Sequence, residues 1–306
     1  MTVAKSFSFI FLTLAVQLDA FAQPPKKLVI DEDVELHYVE LGEGEPIIFI
    51  HGLLDDASAW NRQQLSFANE GFRAIAYSRR HNYPNSNPIR EDHSAALEAD
   101  DLAAFVRKLQ LRDVHVVGHS YGAYTALFFA LNYPELVRTV SIVEPPLIPW
   151  LRDLDGPDRE AGGKQYERLL QMGIEPARSA LKSGDPNAAI RAMVDAIGGD
   201  GKYDSLPKFV KDKCLRNTSE LRAFLASEDR YPAIDREQVR KLQIPTLILS
   251  GGKSLATARF TDSELERLIP KQFRRRVIFD DATHILWIEQ PVRFRNEVLR
   301  HIRGQR

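Results

Sequence analysis

Cysteine is all but missing. Cys214 stands alone in 306 residues, so no internal disulfide can form and the fold must hold by its core. Cys214 lies in a basic helical stretch far from any candidate chemistry and reads as a small buried apolar residue, not a nucleophile. An excess of either charge is missing too: 41 Lys and Arg against 42 Asp and Glu leave a formal net charge of −1. With no long basic run, there is no electrostatic case for nucleic acid. No Cys/His/Asp cluster at ligand spacing suggests a metal. No phosphate-cradling glycine loop suggests a nucleotide, so no cofactor is expected. Internal repeats and low-complexity tracts are absent. No apolar run reaches the ~20 residues a spanning helix needs. The run Phe7-Ser8-Phe9-Ile10-Phe11-Leu12-Thr13-Leu14-Ala15-Val16 is cut short by Gln17 and Asp19, follows Lys5 and precedes Ala20-Phe21-Ala22. That order is a secretory signal over residues 1–22 with small residues at the cleavage site, and it predicts a secreted or periplasmic protein with no stable membrane insertion.

What is present is alternation. Residues 27–30 and 34–40 alternate apolar and polar positions, as strands with one wet face do, around an Asp31-Glu32-Asp33 turn. Residues 47–50, 72–77, 114–117, 139–143, 246–249 and 276–279 are unbroken apolar runs or nearly so. That change marks the passage from an antiparallel edge to parallel strands buried on both faces. Helical patterns fall between them at about 57–69, 91–109, 121–132, 261–269 and 291–303. The expected fold is α/β, a mostly parallel sheet with helices on both faces. The alternation fails once, from about 147 to 243, where only helical stretches broken by glycine and proline occur. A structureless loop of that length is improbable. The stretch reads as a helical insertion, a cap over the strand ends, leaving 23–146 and 244–306 as the core.

The stretch that carries chemistry is Gly118-His119-Ser120-Tyr121-Gly122, between the apolar strand 114–117 and a helix. A serine on a sharp strand-to-helix turn needs neighbours without a Cβ, and the turn lifts its hydroxyl clear of the sheet above a helix N-terminus. Ser120 is the candidate nucleophile. Its hydroxyl needs a base within hydrogen-bond reach. Of the eight histidines, His284 follows the last strand in Asp280-Asp281-Ala282-Thr283-His284, at the sheet edge where Ser120 emerges, and is the candidate general base. His115 and His301 read as structural. Oxyanion donors are expected from the backbone of Tyr121 and from Leu53 in the loop His51-Gly52-Leu53-Leu54. The His51 ring is expected to brace that loop.

Residues 47–54, the Gly118–Gly122 turn and the loop ending at His284, in this order around a helical insertion, resemble the α/β-hydrolase superfamily. The resemblance implies a nucleophile–acid–base order along the chain and says little about substrate. It also exposes a departure. The superfamily's acid commonly sits in a Gly-x-x-Asp turn after the seventh strand; here that turn is Gly251-Gly252-Lys253-Ser254. A serine cannot stabilise an imidazolium as a carboxylate does. Glu144, closing the sixth strand ahead of Pro145-Pro146, offers a carboxylate at the same crevice, an arrangement similar to zearalenone-lactone hydrolases. Haloalkane dehalogenases also place an acid there but use an Asp nucleophile, which Ser120 excludes. Asp262 or Glu264 could instead reach in from the following helix, whereas Asp280 and Asp281 lie too close in sequence to His284. Arg79, in a loop lacking the glycines the superfamily commonly has there, is expected to bond loop carbonyls. Trp60 and Trp150 are candidate substrate-binding residues, or simply pack the insertion against the sheet.

The function this implies is hydrolysis of a small-molecule carboxylic ester or lactone through an acyl-enzyme on Ser120. Carbon–carbon bond hydrolysis or perhydrolysis on the same triad are alternatives. A ligand-binding protein with slow or no turnover is a second class, favoured by the missing Asp.

Overall fold

A computed structural model describes residues 24–254 and 256–304; the expected signal segment lies outside them. Eight strands, β1 Lys26–Asp31, β2 Val34–Leu41, β3 Glu45–Ile50, β4 Phe72–Tyr77, β5 Val114–His119, β6 Val137–Val143, β7 Thr246–Gly251 and β8 Arg274–Phe279, form one sheet. Their order is β1-β2-β4-β3-β5-β6-β7-β8. The β1–β2 and β2–β4 pairs are antiparallel and the others parallel. Most strands that read as unbroken apolar runs are enclosed on both faces, β5 and β7 along their whole length; β8 is the exception, an edge strand on which Ile278 is exposed. Alternation still sorts their side chains. Ile48, Ile50 and Val116 face one apolar layer, while Ile47, Phe49 and Val117 face the other. At the far edge, β8 carries Arg274, Arg275 and Arg276 in partly exposed positions, a charged rim that discourages pairing with another chain.

Two helix starts differ from the sequence reading, each for a local reason. The helix expected from about 91 begins at Ala95, because the Ser94 side chain accepts the Leu97 N–H at 3.1 Å and caps it. The helix expected from about 261 begins at Ala256, directly after the turn that ends at Ser254.

Between β6 and β7 the described elements are all helical. Asp158–Arg168 runs through a π-helical stretch, Leu169–Ile174, into Glu175–Lys182. Pro176 explains the wide turn: it has no N–H to give the helix and its ring crowds the carbonyl a turn earlier. Cys214 is buried in this region, and burial pushes its thiol up to about 12, far from thiolate chemistry. No helix among the described residues is long and apolar enough to cross a membrane.

The chain passes from β3 out to β4 and then returns to β5 on the other side of β3. In parallel sheets such a reversal opens a crevice at the carboxyl ends of the strands. Register pairs Ile50 with Gly118, His119 with Val143, Val143 with Leu249 and Gly251 with Phe279. Five neighbouring strand ends, those of β3, β5, β6, β7 and β8, therefore deliver their loops to one rim.

Candidate active site

Ser120 leaves β5 at φ 51° and ψ −121° and begins the helix Tyr121–Asn132. The turn is possible because of what flanks it. A Cβ on Gly118 would meet the Gly122 carbonyl oxygen at 2.4 Å, and one on Gly122 would meet the His51 oxygen at the same distance. No side chain fits at either place, so the helix start sits directly against the end of β3. The Ser120 N–H is held by the Val143 carbonyl at 2.8 Å, locking the turn to β6.

The next residue on β6 is Glu144, also in the left-handed region at φ 49° and only 2% exposed. One carboxylate oxygen accepts the Gly251 N–H at 2.6 Å. The other lies 2.5 Å from His284 Nδ1 and 2.6 Å from Ser254 Oγ, which donates to it. Burial alone would raise the Glu144 pKa, but the bond and charge of His284 and the donors Ser254 and Gly251 outweigh it and hold the carboxyl below its usual value. An ionised carboxylate only accepts, so His284 carries its proton on Nδ1, leaving Nε2 as the nitrogen for proton transfer. The serine in the acid's customary place thus serves as a donor to the relocated carboxylate.

The loop that carries His284 is tied to the β7 turn. Gly252 N–H donates to the Phe279 carbonyl at 2.8 Å and Lys253 N–H to that of Ala282 at 2.9 Å. Glu289 accepts from the Thr283 N–H and hydroxyl at 2.7 and 2.8 Å. The other carboxylates considered go elsewhere. Asp262 accepts from Ser250 Oγ at 2.6 Å, Glu264 pairs with Arg236 and Arg267, and Asp281 pairs with Lys253 at the surface.

The opposite wall is the loop after β3. His51 is buried; its Nδ1 lies 2.9 Å from the Gly52 carbonyl and its Nε2 accepts the Arg79 N–H at 3.0 Å. Arg79, with no exposed surface, donates to the carbonyls of His51 at 3.1 Å and Gly52 at 3.0 Å, and to both oxygens of Glu98. Glu220 of the insertion completes the cluster by bonding Arg79 and accepting the Leu54 N–H at 2.6 Å. Burial pushes the Glu220 carboxyl up to about 7 against the pull of Arg79. Nothing in the sequence marked Glu220, which lies 141 positions from its partner Arg79.

Ser120, His284, Glu144, Leu53 and Tyr121 line one narrow cavity of about 70 Å³. Pro145 and Pro146 also line it, and the insertion contributes Ile148, Gln165, Leu169, Ala196, Ile197 and Tyr231 as its roof. Sequence reasoning did not identify these roof residues, because periodicity shows which face of a helix is apolar but not what that face covers. Trp60 and Trp150 are elsewhere. Trp60 is buried among Phe49, Trp287 and Phe294. Trp150 is 2% exposed, donates to the Ile234 carbonyl at 2.9 Å and packs under Arg236. Both are structural, and neither reaches the cavity. The bulk that suggested pocket walls is spent on joining layers.

A larger cleft of about 320 Å³ lies apart, lined in part by His37, Asp56, Ser78, Tyr83 and Arg216. Several of its polar groups are engaged with the protein: Arg216 with Asp56, Ser78 with the Tyr83 carbonyl and His37 with Asn85. It contains no nucleophile–base pair. Among the described residues no group of three or more His, Cys, Asp or Glu could hold a metal ion.

Residues 47–297 match the model of a family described as the alpha/beta hydrolase family. A bifunctional epoxide hydrolase 2 from Sus scrofa is 31% identical over 123 residues, 40% of this chain and 22% of that protein. A non-heme chloroperoxidase from Kitasatospora aureofaciens is 37% identical over 91 residues, 30% of this chain and 33% of that one. The matches thus span about a fifth to a third of those relatives' length. A carboxylesterase from Bacillus subtilis superposes with a TM-score of 0.68 at 18% identity, over 96% of this chain and 97% of its own. The family match covers the parallel part of the sheet from Ile47 onward, the insertion and every residue of the cavity, and the chain belongs to the alpha/beta hydrolase family.

Proposed function

We propose that this chain is a serine hydrolase of neutral carboxylic esters or lactones, with Ser120 as nucleophile, His284 as general base and Glu144 as the acid that orients it. The observation that carries the reading is the 2.5 Å pairing of His284 with an ionised, buried Glu144 at a cavity that also holds Ser120. His284 Nε2 takes the Ser120 proton as Oγ adds to the carbonyl carbon, and the imidazolium is stabilised by Glu144. The oxyanion falls to the N–H groups of Tyr121 and Leu53. The Tyr121 N–H opens a helix, where donors have no acceptor within the helix, and the helix dipole favours negative charge. Collapse expels the alcohol, which takes the proton from His284. Water, deprotonated by the same ring, then cleaves the acyl-serine.

The nucleophile narrows the substrate. Attack of a hydroxyl on a strained cyclic ether would leave a stable serine ether with no route to release. Attack on a carbonyl leaves an ester that water cleaves. The described lining residues include no Lys or Arg, so an anionic acyl group would enter without a counter-charge. An enzyme that degrades N-acyl homoserine lactones superposes with a TM-score of 0.64 at 21% identity, over 90% of this chain and 99% of its own, which supports keeping lactones within the substrate class. The apolar N-terminal run supports action outside the cytoplasm, which fractionation of an expressing cell tests directly.

The test is labelling with a fluorophosphonate beside turnover of short-chain nitrophenyl esters. Rapid labelling of Ser120 with sustained turnover is expected. Labelling without turnover would instead make the chain a ligand-capturing protein.

A further inference from the structure

The loop proposed to bind the oxyanion is shaped by a residue that belongs to the cap. Glu220 lies on the cap helix Thr218–Ala226 and is fully buried. One of its oxygens accepts the Leu54 N–H at 2.6 Å and the Asn82 amide at 2.7 Å, and the other meets Arg79. Leu54 sits at φ 60°, a left-handed conformation that costs a branched residue energy and persists only when its surroundings enforce it. The enforcing bond comes from the cap, one residue beyond the Leu53 N–H. The core supplies the rest, since Arg79 holds the carbonyls of His51 and Gly52. Neighbouring cap residues dock the same end: Asn217 Oδ1 accepts the Tyr83 N–H at 2.7 Å, and Arg216 Nε donates to Asp56 at 2.8 Å.

We propose that Glu220 is a positioning residue through which the seated cap holds the oxyanion loop in its competent shape. Catalysis and cap docking are then one event: a cap lifted from the core withdraws the carboxylate from Leu54, and the loop is free to turn the Leu53 N–H away. The inference rests on the hydrolase reading of Ser120 and Leu53 and adds to it the dependence on the cap.

The experiment uses the whole protein, two substitutions and active-site titration, so that rates refer to folded, labelled enzyme. Glu220→Asp keeps the charge but is one carbon too short to span Arg79 and Leu54 together; Glu220→Gln keeps an acceptor but loses the charge. Each is expected to lower kcat by about 10- to 100-fold, short of the 10²–10³ that follows outright loss of an oxyanion donor, with KM within about twofold. A trifluoromethyl ketone, which needs the oxyanion site after adding to Ser120, should lose affinity by the same factor as kcat/KM. A non-hydrolysable ether analogue of the substrate should bind as before. A merely structural Glu220 would lower the melting temperature and leave kcat per titrated site and ketone affinity unchanged, and that result overturns the proposal. Raised KM with unchanged kcat overturns it too, because Glu220 would then shape only the pocket. If either variant gives no folded protein, Asn82→Ala, which removes a donor to the same carboxylate oxygen, is held to the same kcat and ketone criteria. Ser120→Ala is run alongside. If it turns over at the parental rate, the hydrolase reading itself fails; if it is silent while the Glu220 variants behave like the parent, only the present inference fails.

Discussion

Ser120 and Glu144 leave adjacent strands at nearly the same positive φ, 51° and 49°, and the Ser120 N–H is bonded to the carbonyl of Val143, the residue before Glu144. The proposed nucleophile and the proposed acid are therefore tied to each other by one backbone hydrogen bond at the ends of β5 and β6. Strain from such φ values costs roughly 1–3 kcal/mol per residue and is retained where it fixes a geometry.

That strain is measurable at Ser120. Ser120→Ala and Ser120→Gly should both reduce ester turnover to background. Their stabilities should order against the usual rule: glycine normally costs about 0.5–1 kcal/mol relative to alanine, but here it relieves the positive φ and should be at least as stable. Urea denaturation of the two variants checks it, and a glycine variant clearly weaker than alanine would show the turn to be unstrained.

Glu144→Gln should cut kcat by about 10⁴-fold, because an amide can neither fix the Nδ1–H tautomer of His284 nor stabilise its charge. Activity should remain above the Ser120→Ala background. Ser254→Ala removes one donor to the carboxylate and should cost only a few-fold. Ser254 Oγ already reaches Glu144, so an added Ser254→Asp should return at least tenfold of the activity lost in Glu144→Gln. Equal rates for Glu144→Gln and the parent would remove Glu144 from the triad.

The roof of the cavity should set acyl length. Ala196 and Ile197 line it, and Ala196→Phe should raise KM for hexanoate esters by about tenfold or more while leaving acetate esters within about threefold. Trp60→Phe, by contrast, should lower the melting temperature through lost packing in the layer with Trp287 and Phe294 and leave both KM values unchanged. A KM effect at Trp60 would return it to the pocket.

Acid should destabilise the fold before the carboxylates are titrated. Burial is the leading cause that holds His51 and His119 well below the ordinary imidazole value, His93 down to about 3, and His81, His115 and His301 down to about 4. The unfolded chain protonates these rings as pH falls through about 6.5 while the folded chain does not. The unfolded state then binds more protons, and stability drops as pH falls toward the folded values. Asp101 at about 6, Glu220 at about 7, and the raised Asp55 and Asp262 act in the opposite sense over part of that range, but four carboxyls oppose six imidazoles. The urea midpoint should fall steadily from pH 7 to pH 4.5. A midpoint that holds or rises over that interval would mean that the raised carboxyls outweigh the buried rings or that those rings are charged in the folded state.

The sheet and the nucleophile turn were legible in the sequence because both are local: strand burial shows as unbroken apolar runs, and Ser120 is flanked by the glycines its turn demands. The pairing of Glu144 with His284 was foreseen only by elimination, since Ser254 occupied the place where an acid was sought. The loop role of Arg79 could be read from the missing glycines around it. Glu220 could not be read at all, because a glutamate on a cap helix looks like any solvated charge until its distant partners are placed around it. Trp60 and Trp150 stayed open for the converse reason: a large aromatic ring fits a pocket wall and a layer junction equally well, and only packing decides.

Placing the carboxylate on Glu144 puts it immediately before Pro145-Pro146, where the polypeptide departs for the roof of the cavity. Two successive rings with fixed φ make that departure a stiff strut. Any swing of the roof that admits substrate must pivot further along, past Pro146, so the groove can open and shut without tugging on the carboxylate paired with His284.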